Sequence, residues 1–150
     1  MRYLALLAVL GLVSCSRTKD VVSIRQYHLR SISADTGGVD SLRAERLKRL
    51  YGAVSAEEMR TRLGHYYTIR WDGPPGSAGQ PVRILFEYRQ AATGSEVRSL
   101  EVKAPPGRKG VVELRIIGPR YLQGGRVLAW RLSFFRGEQL VQTRQSYLWE

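Results

Sequence analysis

Residues 81–89 read Pro-Val-Arg-Ile-Leu-Phe-Glu-Tyr-Arg, and this stretch decides the fold class. Apolar side chains recur at every second position, namely Val82, Ile84, Phe86 and Tyr88. The positions between them include Arg83, Glu87 and Arg89. Because successive side chains of a β-strand point to opposite faces, this alternation predicts a strand with one buried and one solvent-facing side.

Five further runs of strand character surround this stretch in the C-terminal half of the chain, at residues 66–71, 97–103, 111–117, 126–136 and 139–149. Clusters rich in Gly, Pro and Ser separate the runs, as in residues 73–79. In the run at 126–136, Leu128, Trp130, Leu132 and Phe134 repeat the alternation. Short strands with turns at this spacing predict an antiparallel β-sandwich over residues 65–150, with a small β-barrel as the alternative.

The preceding segment, residues 21–64, is expected to hold an extended stretch and one or two helices. Residues 21–32 are rich in β-branched and aromatic side chains, which favours a strand. Helical character is predicted from Asp40 to Leu63, because one apolar stripe recurs at helical spacing, at Leu47, Leu50, Tyr51 and Val54. The fold class is therefore mainly β with a small helical N-terminal segment.

Two signals predict the bounds of a second helix in this segment. Ser55 and Glu58 match a capping box, in which each side chain accepts a hydrogen bond from a free backbone N–H. Gly64 is expected to stop the helix, since glycine is common just beyond a helix C-terminus. His65 is then interpreted as a residue at the helix end.

The first fourteen residues have the order of a secretory signal peptide. Met1 and Arg2 give a positive start, and residues 3–13 are apolar or small. A bilayer-spanning helix needs about 20 apolar residues, so this run is too short to serve as one. We therefore predict that residues 1–14 are removed.

The residues Leu12-Val13-Ser14-Cys15 resemble the lipobox of bacterial lipoproteins. The resemblance implies that Cys15 receives a covalent lipid and becomes the first residue of the mature chain, followed by a short tether over residues 15–20. Ser16 is not the Asp that retains lipoproteins in the inner membrane in the best-known sorting systems. This favours the outer membrane, with the domain facing the periplasm; the alternative is an ordinary secreted protein.

The predicted sandwich resembles immunoglobulin-like and fibronectin type III-like domains in strand count, length and a candidate buried tryptophan. It departs from antibody domains because it lacks both of their cysteines. A lipobox followed by a charged helical segment and a sandwich is also similar to many uncharacterised small bacterial lipoproteins. That resemblance implies no particular activity.

Candidates for catalysis and metal binding are few, because the chain has one Cys and two His. Most zinc sites need three or four such ligands, so no metal site is predicted. Neither His28 nor His65 lies in a recognisable nucleophile motif. We therefore predict no catalytic residues and no enzymatic activity, and no cofactor apart from the lipid on Cys15.

The charge is strongly positive, with 24 Lys and Arg against 13 Asp and Glu, a formal charge of +11. Loss of Arg2 with the signal peptide lowers it to +10. Arginine suits carboxylates, phosphates and anionic polymers. One basic face for anion binding is predicted on the helical segment, at Arg43, Arg46, Arg49, Arg60 and Arg62. An ordinary solvated surface is the alternative.

The function predicted from the sequence is a membrane-anchored, non-enzymatic module for protein–protein contact in the bacterial envelope. Exposed sheet edges offer backbone groups for strand addition by a partner protein. The alternative is a binding module for an anionic envelope polymer, peptidoglycan or lipopolysaccharide, or for lipid head groups. Nucleic acid is not an expected partner of an exported, membrane-tethered chain.

Overall fold

The computed structural model describes residues 21–33 and 40–150. The strands of this part of the chain are β1 (Val22–Leu29), β2 (Gly64–Asp72), β3 (Val82–Gln90), β4 (Arg98–Ala104), β5 (Lys109–Ile117), β6 (Val127–Arg136) and β7 (Gln139–Gln145). Its helices are α1 (Asp40–Leu50), α2 (Ala56–Thr61) and α3 (Pro119–Gly124), with a 3-10 turn at Ser77–Gly79.

The strands form two antiparallel sheets, with strand orders β1-β2-β5 and β4-β3-β6-β7. The predicted sandwich is confirmed, and the barrel alternative is wrong because the described strands do not join into one closed sheet. In constant-type immunoglobulin domains, strands A, B, E and D face strands C, F and G. Here the fourth strand instead lies beside the third, and the rest of the order is immunoglobulin-like.

Strand β1 belongs to the sandwich, although the sequence had placed it in a segment before the domain. It pairs with β2 without interruption, from Val22 opposite Trp71 to Leu29 opposite Gly64. Val22 and Leu29 are both buried. Strand β1 is therefore part of the folded sandwich.

The core lies between the sheets and is built on the alternation that the sequence shows in β3. Val82, Ile84, Phe86 and Tyr88 are all buried, as predicted. The Phe86 ring lies 4.6 Å from the ring of Tyr67 and 5.8 Å from that of Trp130, measured between centroids. Aromatic contacts of this kind add to the large apolar area that such rings bury.

The predicted alternation in β6 is wrong at its first residue. Leu128 is exposed, whereas Val127 and Ala129 on either side are buried. The cause is a register shift, since Arg89 pairs with Ala129 and the next residue, Gln90, pairs with Val127. Leu128 is thus the extra residue of a β-bulge, and a bulge reverses the faces of the residues beyond it.

The helical segment is shorter and more broken than predicted. Helix α1 ends at Leu50, and Gly52 adopts a φ of +79°. The predicted capping box is confirmed: the Glu58 N–H donates to Ser55 Oγ at 3.1 Å, and the Ser55 N–H donates to Glu58 Oε2 at 3.3 Å. The backbone N–H groups of Val54 and Ser55 both donate to the Glu58 carboxylate, and this holds the pKa of Glu58 below its usual value.

Gly64 does not stop the helix, which was the sequence interpretation. Helix α2 ends at Thr61, and Gly64 is the first residue of β2, with a φ of +138°. A Cβ at this position would lie 2.1 Å from the carbonyl oxygen of Ile116. Glycine is required here because the backbones of β2 and β5 approach too closely for any side chain.

Helix α3 was not predicted. Gly118 precedes it with a φ of +59°, and Pro119 occupies its first turn, where no N–H is needed. The buried Gln90 side chain ties the helix to the sandwich, because its Nε2 donates to the carbonyls of Arg120 at 3.0 Å and Gly125 at 2.8 Å. This placement brings α3 over the end of the core where β1 stops.

Candidate functional site

Strand β4 is an outer edge of the four-stranded sheet and is unusually regular. It pairs with β3 in unbroken register, from Val82 opposite Ala104 to Tyr88 opposite Arg98. The other side of β4 has no strand beside it among the described residues. An edge strand presents backbone donors and acceptors to which another extended chain can pair.

The side chains of β4 leave the core incompletely covered on this side. Leu100, Val102 and Ala104 face the core but are only partly buried. Val112 on β5, the corresponding edge of the other sheet, is also partly buried. We call the surface formed by Leu100, Val102, Ala104 and Val112 the open edge. It is an apolar row with hydrogen-bonding backbone directly beside it.

The opposite edge of the same sheet, β7, is built differently. Its register with β6 shifts at Val141, which has no partner there. Gln142 and Arg144 are polar yet lie opposite the buried Phe134 and Leu132. The Val22 N–H donates to Gln142 Oε1 at 2.8 Å, which ties this edge to β1. Bulges and inward-pointing polar residues are features that protect an edge strand from further pairing.

Of the five arginines predicted to bind anions, Arg49 is used inside the domain. It forms ion pairs with Glu45 and with Glu113 of β5, and its guanidinium lies 4.3 Å from the centre of the Tyr66 ring. Burial opposes its charge, but hydrogen bonds to the two carboxylates raise the pKa of Arg49. Arg49 therefore fastens α1 to the three-stranded sheet.

The other four arginines do not share one face. Arg62 donates to the carbonyls of Arg49 and Tyr51, and Arg46 donates to the carbonyl of Ile32. Arg43 and Arg60 are exposed, on α1 and α2 respectively. The five arginines therefore do not form the single basic face expected from the sequence. Three of them bond within the domain, and the two exposed ones lie on different helices. Anion binding by these residues stays a prediction.

A cleft of about 460 Å³ opens between the end of β1 and α1. Three cationic side chains line it, those of Arg30, Arg43 and Arg46, together with Tyr27 and His28. The described residues that line it include no Asp or Glu. Arg30 had not been singled out from the sequence, because the pairing of β1 with β2 is what brings it beside the helix.

His28 and His65 form a stacked pair at this end of the domain. They are partners in the β1–β2 register, with ring centroids 3.9 Å apart and planes 13° from parallel. His65 was interpreted as a helix-end residue, but it is a buried residue of β2. Its Nε2 accepts from the Val127 N–H at 3.1 Å, and His28 Nε2 lies 2.8 Å from the Tyr121 hydroxyl on α3.

Burial, followed by the neighbouring His28, Arg30 and Arg126, lowers the pKa of His65 to about 3. Burial and the same two arginines also lower the pKa of His28. Both rings are therefore neutral near pH 7, where they stack without repulsion. The two rings contact each other, amide groups and the Tyr121 hydroxyl, so the pair packs β1, β2 and α3 together.

Two further findings concern the described residues alone. Within residues 21–33 and 40–150, no cluster of three or more His, Cys, Asp or Glu is placed to hold a metal ion. In the same part of the chain, no helix is long and apolar enough to cross a bilayer. The predicted signal peptide, the tether and Cys15 lie outside the described residues.

Comparison with known proteins gives one structural likeness. No protein-family model matches the chain, and no curated protein matches it. An immunoglobulin-like protein from Pseudomonas aeruginosa is similar in structure, with 21% sequence identity and a TM-score of 0.35, over 55% of this chain and 70% of that protein. The immunoglobulin-like character of this chain rests on its strand order.

Proposed function

We propose that this protein is a lipid-anchored, non-enzymatic binding module of the bacterial envelope that captures an extended segment of a partner protein along β4. The observation that carries the proposal is the open edge. There, a regular seven-residue edge strand lies beside a half-covered apolar row. Strand addition uses both features, because the backbone supplies hydrogen bonds and the row supplies side-chain contacts.

The chemistry of the edge sets the kind of segment that fits. The row of Leu100, Val102 and Ala104 favours a partner strand with small or branched apolar residues at alternate positions. Between them, Glu101 and Lys103 point to the outer face, where their side chains lie 3.8 Å apart. Partner residues on that face would meet one negative and one positive side chain, so the partner strand can carry acidic or basic residues there.

The difference between β4 and β7 supports one edge over the other. β7 carries a bulge and inward polar side chains, whereas β4 has neither. A segment added at β7 would lose part of its ladder at the bulge, and its core-facing side would meet the polar Gln142 and Arg144. Capture at β4 is therefore the form of strand addition that the geometry favours.

Site-specific photo-crosslinking in intact cells tests this proposal with the full chain. A photoreactive residue at Ser99 or Glu101 is expected to give an adduct with another protein, whereas Thr143 or Gln145 on β7 is expected to give none. Adducts at β7 alone, or none at β4, would overturn the proposal. An adduct with a second copy of this chain would also overturn it, in favour of self-pairing.

A matched pair of substitutions tests the apolar row. Val102→Thr replaces one methyl of the open edge by a hydroxyl, and Val111→Thr does the same on the exposed outer face of β5. We expect a several-fold loss of crosslinking for the first variant and no change for the second. Equal losses, with both variants folded by circular dichroism, would count against the row as a contact surface.

A second candidate function, binding of an anionic envelope polymer, is favoured by the cleft with Arg30, Arg43 and Arg46. Three cations without a lining acid suit a carboxylate or phosphate. Co-sedimentation with peptidoglycan or lipopolysaccharide should fall in the double variant Arg30→Gln with Arg43→Gln. The control, Arg60→Gln with Arg120→Gln, removes the same charge elsewhere. An equal loss in both variants would show non-specific charge attraction and would contradict a site in the cleft.

A further inference from the structure

Helix α1 contacts the domain through polar side chains, whereas an ordinary surface helix contacts its domain through apolar ones. No residue of α1 is buried. Two arginines bond to other parts of the domain, Arg46 to the Ile32 carbonyl and Arg49 to Glu113, and Leu50 is half-buried. An amphipathic helix on a soluble domain normally turns its apolar stripe inward. Here the inward bonds are made by charged side chains, and the exposed apolar side chains need another explanation.

Of the four residues that the sequence suggested as a core-facing stripe, Leu50 is half-buried and the other three are exposed. Leu47 is 62% exposed, Tyr51 86% and Val54 89%. Leu47 lies in the last turn of α1, and Tyr51 follows directly after the last helical residue, Leu50. With Val54 just beyond the helix, they make an outward apolar ridge. Large exposed apolar groups that cluster mark surfaces of interaction.

Positive charge accompanies this ridge. Arg43 and Lys48 are both exposed on α1, and Arg43 precedes Leu47 by one turn. The sole acidic residue between positions 41 and 54 is Glu45, and Arg49 holds it in an ion pair. We call Leu47, Tyr51, Val54, Arg43 and Lys48 the ridge surface. Apolar side chains flanked by cations are the composition of helices that lie in the interface of an anionic bilayer.

The position of the domain in the chain favours a bilayer as the occupant. The predicted lipid site, Cys15, precedes Val22 by seven residues. A chain of that length reaches at most about 25 Å when fully extended. A lipid on Cys15 would therefore hold every surface of this small domain close to the membrane. This step rests on the proposed anchor, whereas the exposure and charge of the ridge surface do not.

We propose that the ridge surface rests on an anionic lipid surface and sets the orientation of the domain. Because α1 covers the outer face of the three-stranded sheet, contact through α1 turns that sheet toward the lipid. The four-stranded sheet, on the other side of the core, then faces away. In this orientation the three-stranded sheet faces the membrane, and β4 stays accessible from the aqueous phase.

Site-specific fluorescence on the full lipidated chain tests the orientation. The chain has one cysteine, Cys15, so Leu47→Cys introduces a single free thiol when Cys15 carries lipid. A polarity-sensitive fluorophore at position 47 should shift to the blue in phosphatidylglycerol vesicles, and a quencher on the acyl chains should quench it. The matched control is Leu140→Cys on β7, where the leucine is 52% exposed. Equal quenching at both positions would overturn the proposal.

A charge variant tests the flanking cations. Arg43→Gln with Lys48→Gln is expected to reduce quenching at position 47 at least twofold, whereas Lys103→Gln with Arg120→Gln should leave it unchanged. Equal quenching at position 47 in purely phosphatidylcholine vesicles would contradict the role of anionic lipid. A blue shift at position 47 in detergent without vesicles, together with a dimer mass, would overturn the bilayer in favour of a second copy.

Failure of the anchor and failure of the ridge surface have different signatures. Mass spectrometry of the mature chain shows whether Cys15 carries lipid. If it does not, a label on Cys15 adds the same signal to both variants, and the difference between positions 47 and 140 still reports the ridge surface. An unmodified Cys15 with a persistent difference rejects the anchor alone. A lipidated Cys15 with no difference rejects the ridge surface alone.

Discussion

The two sides of the three-stranded sheet are covered in contrasting ways. On its inner side, Tyr67, Ile69 and Ile116 are fully buried against the other sheet. On its outer side, α1 contributes no buried residue and is fastened by the bonds of Arg46 and Arg49. The difference separates two tasks. Apolar packing on the inner side stabilises the fold, and polar contact on the outer side positions a helix whose Leu42 and Leu47 remain exposed.

The largest expected effect comes from breaking the inner side. Phe86→Ala removes a fully buried ring between Tyr67 and Trp130 and should lower the free energy of unfolding by about 3–5 kcal/mol. Urea unfolding followed by circular dichroism measures it. The control on the outer side is Leu47→Ala, which should cost less than about 0.5 kcal/mol. Comparable losses in the two variants would contradict the division of tasks.

Acid should weaken the inner side next. The pKa of His65 is about 3 in the folded chain against an ordinary value of 6.5, so the unfolded chain binds more protons between these limits. The contribution of His65 to the free energy of unfolding is therefore fully present above about pH 6.5. It is lost as the pH drops toward 3, by up to about 1.4 kcal/mol per pH unit. The groups facing His65 are His28 and Tyr67, with Arg30, Arg126 and Tyr121 nearby.

His65→Gln isolates this contribution, since the amide oxygen can still accept from Val127 and does not titrate. The free energy of unfolding of this variant should vary less between pH 4 and pH 6.5 than that of the natural chain. Urea unfolding at a series of pH values measures both. Parallel curves would mean that other groups dominate the acid response.

A smaller effect is expected from breaking the outer side. Arg49→Ala leaves Glu113 with the Arg115 ion pair and should cost about 1.5–3 kcal/mol, as for a lost hydrogen bond between charged groups. Arg49 and then Arg115 hold the pKa of Glu113 low against burial, so the variant should raise that pKa. Thermal unfolding and carboxyl titration by NMR measure the two effects. Arg43→Ala, on the exposed face, is the control and should change neither.

The smallest effect belongs to the α2 cap. Ser55→Ala removes the acceptor of the Glu58 N–H and should cost about 1 kcal/mol or less. Amide chemical shifts should change at residues 55–61 and not in the sheets. A change that spreads into β2 would mean that α2 is packed more tightly on the sandwich than its exposed residues indicate.

The sandwich could be predicted because its signals are local. The alternation in β3 and the turn clusters state which residues face inward and where strands end. The bulge at Leu128 and the membership of β1 could not be read in this way, because both depend on register with a partner strand distant in sequence. Gly64 was misread for the same reason, since the carbonyl that excludes a side chain there belongs to Ile116.

The candidate sites were less predictable. The arginines of the helical segment were noticed, but their partners Glu113 and Ile32 lie on other elements. The half-covered row of β4 cannot be recognised from the sequence, because it depends on the absence of a further strand beside β4 within residues 21–33 and 40–150. The predicted core-facing stripe at Leu47, Leu50, Tyr51 and Val54 is wrong for three of its residues, since only Leu50 is partly buried. Helical spacing alone does not show which neighbouring element a face contacts.

Fastening α1 by a few polar bonds also has a consequence for the timescales of motion. Separation of helix α1 from the sheet breaks a few polar bonds and uncovers the ring of Tyr66, so it exposes little buried apolar surface and requires less free energy than opening of the strands. Amide hydrogens of α1 should then exchange with solvent by local opening, long before those of β2, β3 and β6. A bound surface that slows exchange in α1 alone would reveal which face of the domain it touches.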